Sequence, residues 1–364
     1  LIRIFKNYNG KTTEITEFCK NITISRSIAE VSRKLECTIM YPLNDPYQIK
    51  QQIGVATKVL ATLDNKEIFK GILIDRSINS DDTLNFTAFD YAFYLTKNKV
   101  TYNFSNTTAD RAVKQILGEI GVQTGNIASS NIKLRWLIAQ KSVYDAIQEL
   151  YTQVSKQTGK QYFIVMSNTK VNVIEMGSKL TSKIIKPARD VFTGDGNLLS
   201  FEYKDSMGNM INRVKVYDDK NKYLSKIENT TDIKTYGILQ DNYVKEQDKD
   251  PNIVARNMLH GIDKDVSVGV LGDYNYRTGY AVNVQIPYIS TLKNALMYIT
   301  SDTHTWDMET GTFTTQLELS YINKMDTKES DDTLKFDTKM KKQAIREAKK
   351  KQRLAKKKVK KNRK

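Results

Sequence analysis

Over the first hundred residues, apolar and polar positions alternate in short runs. The sets are Ile22 and Ile24, then Leu35, Cys37 and Ile39, then Ile72 and Ile74, then Leu84, Phe86 and Ala88. A period of two puts alternate side chains on one face of a strand, so each set is expected to face a core. The polar turn Asn79-Ser80-Asp81-Asp82 makes residues 71–91 a hairpin. Several such strands in succession predict a small barrel or sandwich.

The period then lengthens. Ala109, Ala112, Val113, Ile116, Leu117 and Ile120 form one helical stripe. Thr107 is placed to cap that helix, with Asp110 three residues on, and Gly121 to stop it. A second helix follows the same grammar. Ser142 is its N-cap and Asp145 the capping-box acid; Val143, Ala146, Ile147, Leu150, Tyr151 and Val154 are its apolar face, and Gly159 is its stop. Strands over 162–166 and 171–176 flank the turn Ser167-Asn168-Thr169. From about residue 190 alternation returns, with Phe201 and Tyr203, Val214 and Val216, and Val282, Val284 and Ile286. Between them a helix is expected to start at Asp250-Pro251, where proline suits the first turn, and to end at His260-Gly261. The last hairpin covers 296–321 around Met308-Glu309-Thr310-Gly311. Phe313, Thr315, Leu317, Leu319 and Tyr321 lie on its second strand, and it resembles the hairpin at 71–91.

The fold class expected is mainly β with an α+β insert. A first β-barrel would occupy 1–100, an inserted α/β domain 101–185 and a second β-barrel 186–325. A linker and Lys-rich tail, helical or disordered, would occupy 326–364. The chain's 364 residues, 40% hydrophobic, suffice for more than one core. No run approaches the roughly 20 apolar residues of a membrane span, so no stable membrane insertion is expected. The opening residues run straight into a β-like pattern, without the basic-then-apolar layout of a signal peptide. Assembly in the cytoplasm is the expectation.

Charge changes the picture once it is located. The net charge is +16, but residues 339–364 hold 15 Lys/Arg against the single acid Glu347. That leaves 42 basic and 40 acidic residues for 1–338, an ordinary balance. The tail has three readings: a solvated appendage, a phosphate binder with salt-dependent affinity, or a dock for an acidic protein. It lacks the aromatic residues that stack on single-stranded bases.

Catalytic and ligand motifs do not assemble. Gly10-Lys11-Thr12 lacks the glycine of a phosphate loop, because Phe5 stands in its place. Gly194-Asp195-Gly196 is followed by Leu199 where a dinucleotide loop needs glycine. Ser267 precedes Gly269, but Asp265 occupies the other glycine position of a nucleophile elbow. His260 and His304 are too far apart for a zinc-helix motif. His304 reads as a packed or hydrogen-bonded strand residue, and His260 as a helix C-terminal cation. Cys37 reads as a small core residue. A Cys19–Cys37 disulfide is the alternative, disfavoured in a reducing compartment. No catalytic, cofactor-binding or metal-binding residue is assigned, no cofactor is expected, and a non-enzymatic role is favoured.

Four segments carry a family resemblance: 21–42 (NITISRSIAEVSRKLECTIMYP), 69–91, 142–165, and 298–319 with its SDTHTW stretch. The chain resembles the baseplate hub proteins of contractile phage tails and phage-tail-like bacteriocins (tailocins), of the PBSX prophage type. More distantly it is similar to the late-control D family and to the N-terminal region of type VI secretion spikes. The resemblance covers about residues 1–325 and excludes the tail. It implies tail-tube-like barrels and a homotrimer whose paired barrels make a pseudo-six-fold ring. The implied partners are the tail tube, spike, tape-measure and baseplate wedge proteins, in a particle assembled in the bacterial cytoplasm. Nucleic acid is not expected among them. A peptidoglycan-degrading tail enzyme and a nucleic-acid binder acting through the tail are the alternatives.

Overall fold

The computed structural model describes residues 1–45, 47, 51–188, 194–246 and 249–329. The Lys-rich tail lies outside the described residues. The N-terminal strands are β1 (Ile2–Tyr8), β2 (Lys11–Glu14), β3 (Cys19–Ser27), β4 (Lys34–Met40), β5 (Lys58–Leu63), β6 (Lys66–Asn79) and β7 (Thr83–Asp90). A mixed segment follows: α1 (Phe93–Lys97), β8 (Lys99–Thr108), α2 (Ala109–Glu119), β9 (Thr124–Ile127), β10 (Lys133–Ser142), α3 (Val143–Thr158), β11 (Tyr162–Ser167) and β12 (Lys170–Glu175). The remainder comprises β13 (Leu198–Ser206), β14 (Arg213–Tyr217), β15 (Tyr223–Glu228), α4 (Thr230–Tyr236), β16 (Gln240–Val244), α5 (Pro251–Asn257), β17 (Asp263–Leu271), β18 (Ala281–Val284), β19 (Ala295–Asp307) and β20 (Thr312–Ser320).

The fold is mainly β. First and last strand groups share one 12-stranded sheet, in the order β13-β17-β20-β19-β3-β4-β7-β6-β5-β1-β2, with β18 beside β19. No closed barrel forms among the described residues; the path ends openly at β13 and β2. A repeat is embedded in that path. The neighbours β3-β4-β7-β6-β5 recur, in the same chain order, as β13-β17-β20-β19-β18. The likeness between the two hairpins therefore extends to five strands each.

Alternation in the sequence locates most of the core. Ile22, Ile24, Leu35, Cys37, Ile39, Leu84, Phe86 and Ala88 are all buried in one cluster. On β6 the expected face is reversed. Phe69 and Leu73 are buried, whereas Ile72 and Ile74 lie half-buried on the other side. Apolar residues occupy both parities of this strand, so alternation alone could not choose. Gly71 also belongs to the inner face, where an added Cβ would come 2.2 Å from the Phe89 carbonyl oxygen.

Between these groups, α2 and α3 pack their apolar stripes onto the two-stranded sheet β10-β8 and the sheet β11-β12-β9. The α3 caps are as expected: the Ser142 hydroxyl accepts from the Asp145 N–H, and Gly159 takes the left-handed conformation. On α2 the N-cap is Thr108 rather than Thr107, and no side chain caps it. Beyond its last turn Gly121 turns left-handed, and the Val122 N–H closes onto the Leu117 carbonyl at 2.9 Å.

Three further features depart from the sequence reading. Val214 and Val216 do not join the large sheet; β15-β14-β16 is a separate sheet whose small core adds Tyr243, Val254 and Ala255. The helix begun by Asp250 and Pro251 ends at Asn257, and His260 instead forms a backbone bridge with Ile211. Residues 326–329, expected to begin a linker, run along α3. Asp326 accepts from the Tyr144 hydroxyl at 2.9 Å, the Lys328 N–H reaches Thr152 Oγ1 at 3.1 Å, and Glu329 pairs with Lys156 at 2.7 Å. That strap helps explain why α3 is buried almost all round.

Candidate assembly surfaces and the buried charge network

The two repeats join where β19 pairs with β3, with Asp302 opposite Arg26 and His304 opposite Ile24. At this seam charged and polar side chains fill the interior. Arg33 grips Asp302 with two bonds of 2.5 and 2.9 Å, and Asp302 is fully buried. The Thr278 N–H and hydroxyl both donate to Asp302 Oδ1 at 2.6 Å. His304 Nε2 lies 3.1 Å from Asp302 Oδ2 and 3.0 Å from the Tyr276 carbonyl oxygen, while Nδ1 sits 2.9 Å from the Thr315 hydroxyl. Burial alone would raise the Asp302 pKa, but the Arg33 charge and the bonds from His304 and Arg33 outweigh it and hold the carboxyl well below its usual range. Burial pushes the His304 pKa below its usual value despite its acidic neighbour.

Asp302, His304 and a hydroxyl resemble the parts of a hydrolytic triad. Here the hydroxyl belongs to Thr315, which is buried with its partners, so no substrate can reach the nucleophile position. The constellation acts as a clamp. Arg26 extends it: its Nη2 donates to the carbonyls of Val31 at 2.9 Å and Ile164 at 2.5 Å, and its guanidinium stacks 4.4 Å over Phe163. Desolvation lowers its pKa to about 10. One side chain thereby ties β3 to β11.

The other residues weighed from sequence are dispersed. His260 lies 3.1 Å from Asp263, which Lys324 and Asn209 also contact. Ser267 sits mid-strand and donates to Glu318 at 2.9 Å. Cys19 and Cys37 are both buried and unlinked, with their sulfurs 3.4 Å apart. Burial raises the Cys37 thiol well above its usual pKa. Among the described residues no group of three or more His, Cys, Asp or Glu could hold a metal. A cleft of about 710 Å³ opens between the β5–β6 turn, residues 272–280 and the β19–β20 turn, with cationic, acidic and aromatic residues mixed in its wall.

The sheet edges differ sharply. The β2 edge is a four-residue strand, Lys-Thr-Thr-Glu, short and polar in the manner of a protected edge. The β13 edge spans nine residues. Phe201 and Tyr203 pair with Val268 and Val266, which puts them on the core face. Tyr203 is half-buried against the core, with the Thr291 hydroxyl donating to its own at 3.2 Å. No described strand covers Phe201, which is 38% exposed and stacks 6.5 Å from Tyr288, itself 72% exposed. The alternation of Phe201 and Tyr203 was legible in the sequence; the missing neighbour on that edge was not.

A family model described as YqbQ-like matches residues 22–320. The chain belongs to the YqbQ-like family. It is 26% identical over 267 residues to the uncharacterized protein YqbQ of Bacillus subtilis, covering 70% of this chain and 79% of that protein. It is 24% identical over 306 residues to the phage-like element PBSX protein XkdQ of the same organism, covering 81% and 90%. In fold it is similar to a tail protein from Neisseria meningitidis, with a TM-score of 0.64, 12% identity, and coverage of 88% and 96%. The 43 kDa tail protein of prophage MuSo2 from Shewanella oneidensis gives the same TM-score and identity, with coverage of 87% and 98%. This family member thus has a phage tail protein fold. None of its described helices is long and apolar enough to cross a membrane.

Proposed function

We propose that this chain is a structural baseplate hub, a homotrimeric pseudo-six-fold ring joining the tube of a contractile tail to its central spike. The observation that carries the reading is the repeated five-strand order within one chain. Two like units per chain give six in a trimer, which suits a six-fold tube on one side and a three-fold spike on the other. Relatedness to a PBSX phage-like element protein and the tail-protein fold support the same reading. The sealed Asp302–His304–Thr315 cluster favours a non-enzymatic role.

In this reading tube-like units would comprise residues 1–100 and 186–325, with 101–185 as the insert and 326–364 as linker and tail. Barrel closure would come from neighbouring copies. The tail, with its net +14, would reach an acidic surface of the tape-measure or spike protein, and wedge proteins would attach outside. The test is deletion of the gene followed by electron microscopy of the particles. Tails lacking a joined baseplate are expected; normal tails without this protein overturn the proposal. A wall-degrading role would instead show as lysis zones made by the isolated chain in peptidoglycan gels.

A further inference from the structure

Among the described residues no strand pairs with the outer edge of β13 from Ser200 onward, or with the outer edge of the distal half of β6, and the repeat suggests how each would be covered. Strand registers align the two units residue by residue. The ladder Ile22–Cys37–Phe86–Arg76 across β3, β4, β7 and β6 corresponds to Phe201–Val268–Leu317–Asp302 across β13, β17, β20 and β19. Irregularities recur at matching places. Cys19/Asn21 matches Leu198/Ser200, and Leu73/Asp75 matches Ile299/Ser301. In this alignment Arg26 corresponds to Asp205, Ile24 to Tyr203, Asp302 to Arg76, and His304 to Ile78.

Within the chain, the distal part of β19 from Ser301 to Asp307 covers the free edge of β3. Among the described residues the corresponding part of β6 is paired only to β7, because the β5 ladder ends where Lys58 faces Ile72. Asp75, Arg76, Ser77 and Ile78 are accordingly exposed, Ile78 by 45%. The corresponding edge of β13 is open as described above. We infer that β13 of one copy pairs antiparallel with the distal half of β6 of the next copy, repeating between chains the β3–β19 seam found within one.

Transferring the register sets Arg76 opposite Asp205, Ile78 opposite Tyr203, and Ser77 opposite Lys204. The intrachain seam places Arg26 opposite Asp302. The interchain seam keeps an opposite-charge pair at that position with the signs exchanged. Arg76 and Asp205 are in no ion pair among the described residues; Arg76 donates to the Ile53 carbonyl and Asp205 accepts from the Tyr203 hydroxyl. Opposite charges facing across strands are favourable, and like charges are not. A head-to-tail contact of this kind closes a ring or grows a filament. The ring of three rests on the proposed function, whereas the seam itself rests on the registers.

The experiment uses the full chain in two arms. Copies carrying Ser77→Cys are mixed with copies carrying Lys204→Cys and oxidised; facing residues in an antiparallel pair lie within disulfide reach. A disulfide-linked pair is expected from the mixture and from neither variant alone, and absence of the link overturns the seam. In the second arm, Asp205→Arg and Arg76→Asp are each expected to weaken association at least about tenfold through like-charge contact, and the double exchange to restore it. A trimer indifferent to these changes overturns the seam and leaves the ring standing. Linked assemblies of another copy number keep the seam and overturn the trimer.

Discussion

Arg33 and Asp302, 269 positions apart, meet in a two-bonded ion pair at the seam between the two repeats. Both side chains are almost wholly buried, at 6% and 0% exposure. Removing one partner leaves the other charge desolvated and alone, which typically costs about 3–5 kcal/mol. Asp302→Asn and Arg33→Met are each expected to lower the urea midpoint strongly. Replacing both together should cost less than the sum of the single changes. Additive losses in that cycle would show that the two residues act separately.

The same seam sets a pH dependence. The folded pKa of His304 lies below its ordinary 6.5, so the unfolded chain takes up a proton there first as pH falls. Stability from this group is full above 6.5 and declines as pH drops below it. The folded pKa of Asp302 lies well below 3.8; its contribution is full above 3.8 and is lost on further acidification through the folded value. Asp90, raised by burial above 3.8, opposes this, because its contribution fades as pH rises through its folded pKa. Unfolding midpoints measured from pH 8 to 4 should fall first near 6.5. His304→Gln should remove that first step, and an unchanged profile would assign it elsewhere.

Capping makes a smaller, local prediction. The Ser142 hydroxyl accepts the Asp145 N–H at 3.0 Å and donates to the Asp145 carboxylate at 2.6 Å. Ser142→Ala should cost about 1 kcal/mol and leave oligomer formation intact, as measured by denaturant unfolding and light scattering. Loss of assembly with unchanged stability would mean that this helix end takes part in a contact.

The sequence made α3 legible because its cap, stripe and stop agree with one another. It made β3, β4 and β7 legible because the apolar residues of each lie mainly on one parity, with Cys19, Met40 and Phe89 the exceptions at strand ends. It misassigned β6, where Ile68, Phe69, Ile72, Leu73 and Ile74 supply both faces and tertiary packing chose. The β14–β16 sheet was hidden because Val214 and Val216 alternate like any half-buried strand; alternation reports burial, not which sheet buries it. The strap at 326–329 was hidden for the opposite reason, since its polar residues satisfy α3 through hydrogen bonds and leave no periodic trace. His304 was expected to be packed and hydrogen-bonded, and it is. Its place between Asp302, the Tyr276 carbonyl and Thr315 depends on strand pairing and loop packing, which no local pattern encodes.

The tail supplies the last prediction. Residues 339–364 carry +14 and the remainder +2, so ending the chain at Thr338 removes nearly all the net charge. The strap against α3 extends to Glu329, so the unfolding midpoint of the truncated chain should match that of the full chain. Particle assembly should not. A polycation gripping an acidic neighbour gains from attraction that salt screens over about 8 Å at physiological ionic strength. The full chain should therefore join particles more readily than the truncated one in low salt, and the difference should shrink as salt rises. Counting tails with complete baseplates by electron microscopy at two salt concentrations measures this. Equal yields from both chains would make the tail a solvated appendage, and a tail-dependent gel shift with DNA but no assembly defect would transfer its role to nucleic acid.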